Sequence, residues 1–144
     1  GLAIACDLAV AANGSKLGFT EVRIGFVPAI VSRLLRNRVS DGQIRSLLLT
    51  GRLIDAPEAA EIGLIHQAVP AEELDKAVSE ITSAIALQTS PTAVALTKRM
   101  LAATDGMPAD AAATFLTSFN ALARQTGDVA KGIDSFLNKE KPSW

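Results

Sequence analysis

The chain has 144 residues, 49% of them hydrophobic and 20% charged, with a formal net charge of −1. That balance excludes a disordered chain, suffices for a buried core, and gives no field for steering nucleic acid. A single cysteine (Cys6) and a single histidine (His66) exclude a disulfide framework and a Cys/His metal cluster; a reducing compartment, the cytosol, is expected.

The opening Gly1-Leu2-Ala3-Ile4-Ala5-Cys6-Asp7 is apolar, without a preceding Met or basic region, and is expected to follow sequence upstream. Leu8 to Ala12 is a compact apolar run ended by the turn dipeptide Asn13-Gly14. Lys16 to Phe19 is the next extended candidate. Thr20 to Pro28, punctuated by Gly25 and Pro28, resists any periodic reading and is expected to be an irregular connection, a common carrier of functional groups.

Ile30, Leu34 and Leu35 then recur at helical spacing. Ser40-Asp41 offers an N-cap for a helix closed near Gly51, and Asp55 one for a helix with Pro57 in its first turn that ends at Gly63. Leu64 to Val69 reads as a strand holding His66 as a core or edge histidine. From Ala71 to Gln88, Leu74, Val78, Ile81 and Ile85 form one apolar stripe, expected in the core. Further helices are expected from Ser90-Pro91, from Ala109, and from Asp128 through Ile133, Phe136 and Leu137. No run approaches the ~20 apolar residues of a membrane span. Residues 1–70 thus mix short strands and helices, and 71–144 are helical, an α/β organisation in two parts.

Several segments together are similar to the enoyl-CoA hydratase/isomerase (crotonase) family. Leu2-Ala3-Ile4-Ala5-Cys6-Asp7 resembles its Glu-Leu-Ala-x-x-Cys-Asp segment, and Glu21-Val22-Arg23-Ile24-Gly25-Phe26-Val27-Pro28 its Glu-x-x-x-Gly-x-x-Pro. Leu49-Thr50-Gly51, Ala56-Pro57-Glu58-Ala59 with Gly63-Leu64-Ile65, Ser90-Pro91 with Lys98, and Phe136-Leu137-Asn138-Lys139-Glu140-Lys141-Pro142 follow in the family's order. The resemblance implies a crotonase-like spiral core of ββα units, truncated, then a helical C-terminal region used in trimer contacts. It implies a C-terminal fragment lacking the N-terminal half, with both backbone donors of the family's oxyanion hole ahead of Gly1.

The resemblance also implies an acyl-CoA thioester as substrate and no separate cofactor or metal, CoA being part of the substrate. A homotrimer or dimer of trimers is expected, without nucleic acid or membrane partners. Glu21 is the expected catalytic residue, a general acid or base beside the α- and β-carbons while negative charge develops on the thioester oxygen. Gly1 stands where two-carboxylate hydratases hold a second glutamate, so the usual two-carboxylate activation of water is missing here. Phe136 and Lys139 are the expected contacts to the adenine and phosphates of CoA on a neighbouring subunit.

Other residues carry plainer readings. Cys6 is expected to be small and buried, and Asp7 to bond backbone groups at a helix end. Arg33, Arg36 and Arg38, with Lys98-Arg99, are solvated helix charges or a phosphate patch. Leu116 and Phe119 line an acyl pocket or a subunit interface. Three functions fit: hydration of 2-enoyl-CoA, isomerisation of 3-enoyl-CoA to 2-enoyl-CoA, and a non-catalytic CoA-binding or oligomerisation module.

Overall fold

The computed structural model describes residues 1–144 and divides into two compact units, Gly1–Ser79 and Glu80–Trp144. In chain order the first unit holds α1 (Leu2–Ala5), β1 (Val10–Ala12), β2 (Lys16–Gly18), a 3-10 helix over Glu21–Ile24, α2 (Ala29–Leu35), α3 (Asp41–Thr50), β3 (Leu53–Asp55), α4 (Ala56–Glu61) and β4 (Gln67–Val69). α5 (Leu74–Gln88) begins in this unit and ends in the second, which continues with α6 (Pro91–Thr104), α7 (Ala109–Ala123) and α8 (Gly127–Leu137).

Two strand pairs organise the first unit. β1 runs parallel to β4, with Val10 opposite Gln67 and Ala12 opposite Val69. β2 runs antiparallel to β3, with Lys16 opposite Asp55 and Gly18 opposite Leu53. A Cβ on Gly18 would lie 2.7 Å from Leu53 Cδ2 and 2.8 Å from the Arg52 carbonyl oxygen. Only glycine lets these strands approach so closely.

The expected caps form. Ser40 Oγ accepts from the Gln43 amide at 3.4 Å, and Asp55 Oδ1 from the Glu58 amide at 2.9 Å. Each satisfies an amide that the helix itself leaves unpaired. Leu35, Leu47, Ile54 and Leu64 are completely buried in a core with Phe19, Ile44 and Ile65. Each such aliphatic side chain contributes about 1.5–3 kcal/mol by leaving water. Arg52 Nη1 pairs with Glu58 Oε1 at 2.7 Å across this end of the unit, half exposed.

The structure corrects several expectations. Gly63, at φ 78°, turns the chain sharply after α4, so Leu64 and Ile65 point into the core with their amides on the Ala59 carbonyl instead of starting a strand. β4 therefore begins only at Gln67, and His66 is exposed beside it, its amide donating to the Ala9 carbonyl at 2.8 Å. Cys6 is exposed, not buried, because α1 turns Ile4 into the core and ends just before Cys6. The stripe on α5 is not a core stripe in this chain. Val78 is 42% and Ile85 41% exposed, while the buried position is Ala77. Periodicity shows that a face is apolar; burial requires a surface to cover it.

In the second unit Phe115 and Phe119 stack with ring centroids 5.5 Å apart. Leu116 and Phe119 line a cavity of about 290 Å³ with Leu96, Met100 and Val129. Ser90 Oγ accepts from the Ala93 amide at 2.9 Å to cap α6, and its hydroxyl donates to Asp128 in the first turn of α8. The Thr92 amide reaches the same Asp128 oxygen at 3.3 Å. The Ser90 bond foremost, then the Thr92 side chain and to a lesser degree its amide, hold the Asp128 carboxyl below the usual carboxylate range. No helix is long and apolar enough to cross a membrane.

Candidate functional site

Glu21 sits where the antiparallel pair hands over to a tight turn. β2 ends at Gly18, Phe19 is anchored in the core at 5% exposure, and Glu21 opens the 3-10 helix. The Arg23 amide donates to the Thr20 carbonyl at 2.9 Å, and the Phe26 amide closes back on the Glu21 carbonyl, also at 2.9 Å. Gly25, at φ 78°, provides the left-handed residue that ends this turn. The irregular stretch expected at Thr20–Pro28 is thus a short helix clamped at both ends.

Glu21 Oε2 is buried and has no hydrogen-bond partner. Buried carboxylate oxygens are ordinarily paired, since leaving one unpaired costs desolvation free energy. The fold thus leaves at Glu21 an acceptor that its own backbone and side chains do not use. Around it Ile24, Phe26, Val27 and Ile30 are 67–83% exposed, so the segment that carries Glu21 presents apolar side chains outward.

Gly51 supports this turn from below. It ends α3 in the left-handed conformation, φ 61°, with its amide on the Leu47 carbonyl. A Cβ there would stand 3.2 Å from Val22 Cγ2 and from Arg23 Cγ and Nε. The Leu-Thr-Gly motif therefore does two things: it stops α3, and it leaves room for the Glu21 helix to dock. Helix-stop chemistry was visible in the sequence, but the docking was not.

Gly1 is exposed ahead of α1, and a Cβ built on it would meet Val31 Cγ2 at 3.7 Å. The neighbour at this position is an apolar side chain. Arg38 is not a free phosphate ligand: its guanidinium donates to the Cys6 carbonyl and, at 3.4 Å, to that of Asp7, closing the end of α1. A cation satisfying carbonyls just past a helix C-terminus is a recurrent arrangement. Phe136, 81% exposed, and Lys139 share one turn at the end of α8, where the Lys139 amide donates to the Phe136 carbonyl at 3.1 Å. Glu21 and Gly1 belong to the first unit, Phe136 and Lys139 to the second.

A family model described as enoyl-CoA hydratase/isomerase matches residues 1–144. The chain is 39% identical over 144 residues to a putative enoyl-CoA hydratase of Thermus thermophilus, covering 100% of this chain and 56% of that protein. It is 35% identical over 146 residues to a crotonyl-CoA hydratase of Syntrophomonas wolfei, covering 99% of the chain and 55% of that protein. Among solved structures, a probable enoyl-CoA hydratase/isomerase from Mycobacterium abscessus superposes with a TM-score of 0.89 at 30% identity, over 99% of this chain and 56% of that one. The enoyl-CoA hydratase of Bacillus anthracis gives 0.91 at 29% identity, over 99% and 55%. The chain thus spans about half the length of the relatives it matches, with the crotonase-type fold expected from its motifs. A family match from the first residue to the last, together with superposition at this level, makes the chain a member of the enoyl-CoA hydratase/isomerase family.

Proposed function

We propose that the protein bearing this chain adds water across the double bond of 2-enoyl-CoA thioesters, with Glu21 as general acid and base. The buried, unpartnered Glu21 Oε2 carries the reading: it is a proton carrier held ready beside an apolar surface. In the forward step, water oxygen bonds to the β-carbon and the π electrons move toward the thioester oxygen as an enolate. Glu21 delivers a proton to the α-carbon, and the proton released by water restores Glu21. Positioned proton transfer of this kind is worth about 10²–10⁴-fold in rate. Hydratase names among the relatives support the same reading.

One observation favours a second reading. Position 1 carries no carboxyl group and abuts Val31, so no second acid in this chain stands there to activate water. Glu21 alone suffices for isomerisation, taking a proton from C2 of a 3-enoyl-CoA and returning one to C4. Phe136 and Lys139 serve the adenine and phosphates of CoA. The exposed apolar residues of α8, among them Ile133, Phe136 and Leu137, support assembly into trimers or pairs of trimers. A cytoplasmic location is part of the proposal.

The test is absorbance of the conjugated thioester in the full-length protein, with crotonyl-CoA and separately a 3-enoyl-CoA, for wild type and Glu21→Gln. Glu21-dependent loss of the crotonyl-CoA signal supports hydration. Gain of conjugation from the 3-enoyl substrate alone moves the assignment to isomerase. Turnover unchanged by Glu21→Gln refutes the role given to Glu21.

A further inference from the structure

Residues 138–144 do not trail away from α8. Lys139 has φ 57°, the single non-glycine residue in the left-handed region. Its amide bonds the Phe136 carbonyl at 3.1 Å, and the Glu140 amide bonds the Ser135 carbonyl at 2.9 Å. This is the paired-bond helix stop whose left-handed position is usually glycine, because a Cβ there crowds the following carbonyl. A lysine in that conformation is held there by its surroundings.

The chain beyond it folds back on α8. The Lys131 ammonium donates to the Ser143 carbonyl and stands 5.8 Å from the centroid of the Trp144 ring. The ring lies over Gly132, close enough that a Cβ there would be 3.4 Å from Trp144 Cη2. Trp144 and Phe136 also line one cavity of about 430 Å³ with Ile133 and Val129. Residues 141–144 thus form a strap folded back on α8, and Lys139 is the hinge between helix and strap.

We propose that Trp144, seated by Gly132 and Lys131, is a positioning residue that fixes the direction of the Lys139 side chain. With the strap lifted, only two backbone bonds oppose relaxation of Lys139 to negative φ, which would swing its side chain off its line. The inference rests on the reading of Lys139 as a phosphate contact for CoA.

The test measures calorimetric Kd values on the full-length protein for two non-reacting ligands, butanoyl-CoA and butanoyl-pantetheine, the second lacking the nucleotide. Lys139→Ala weakens butanoyl-CoA by about tenfold, the worth of one charge-assisted bond. Trp144→Ala weakens it several-fold, and neither variant changes butanoyl-pantetheine. Wild-type butanoyl-CoA affinity in Trp144→Ala, against a loss in Lys139→Ala, overturns the positioning role and leaves the Lys139 reading standing. Unchanged affinity in Lys139→Ala overturns both. Equal weakening of both ligands by Trp144→Ala shows a purely structural role and also overturns the proposal.

Discussion

Replacing Gly51 with alanine tests whether the glycine under the Glu21 helix serves more than to end α3. Two costs are separable. The left-handed backbone, φ 61°, costs an alanine about 1–2 kcal/mol whatever lies around it. The new methyl would also stand 3.2 Å from Val22 Cγ2 and from Arg23 Cγ and Nε. Arg23 is flexible and can yield, but Val22 is β-branched and stiff, so the crowding adds about 1 kcal/mol, the low end of overpacking costs. Gly106 is the control: its φ of 73° imposes the same strain, and a Cβ there meets nothing within 4 Å. Urea unfolding of the full-length protein should therefore place Gly51→Ala about 1 kcal/mol below Gly106→Ala. With m-values of roughly 1–3 kcal/mol/M, that is a midpoint difference of about 0.3–1 M. Adding Val22→Ala to Gly51→Ala should recover part of the loss, a coupling absent when Val22→Ala is combined with Gly106→Ala. Equal midpoints for the two glycine variants, with no coupling to Val22, would refute the docking argument.

Four further outcomes are expected. Glu21→Gln lowers turnover by about 10²–10⁴-fold without lowering the urea midpoint, since Oε2 bonds nothing in the fold; a clear loss of stability would show that the carboxylate is structural. Gly18→Ala forces β2 and β3 apart, because the Arg52 carbonyl cannot yield as a side chain would, and costs about 3 kcal/mol or more; a midpoint within error of wild type would contradict this. Ser90→Ala removes both the cap of α6 and the donor to Asp128, a loss of about 0.5–2 kcal/mol by thermal or urea unfolding. Asp128 is depressed by Ser90 and Thr92, so its contribution is complete above the ordinary carboxylate value of 3.8 and is lost as pH falls through its lower folded value. Asp128→Asn should accordingly flatten the acid limb of stability against pH, with Asp41, depressed by Arg45, leaving a residual slope; superimposable pH profiles would rule this out.

Local chemistry made much of this chain legible in advance. Ser40, Asp55 and Gly51 are read directly because a cap or a helix stop depends on a few neighbouring residues. The segment around Glu21 was legible as irregular, and its motif singled out the glutamate. What failed were particular statements about burial. Val78 and Ile85 have helical spacing yet remain exposed, and Cys6 and His66 lie at the surface although flanked by apolar residues.

The sequence by itself determined most of the helices, their caps and the family, though not the strand Leu53–Asp55, because these depend on residue type at short spacing. Tertiary structure alone decided that Glu21 Oε2 is sealed without a partner, that Gly51 makes room for Val22 and Arg23, and that Arg38 closes α1. It alone also decided that Trp144 folds back over Gly132 and that Lys139 takes the left-handed conformation. Each of these is an approach between groups separated along the chain or turned by a backbone angle. No spacing rule encodes such an approach, because it exists only once the packing around both partners has formed.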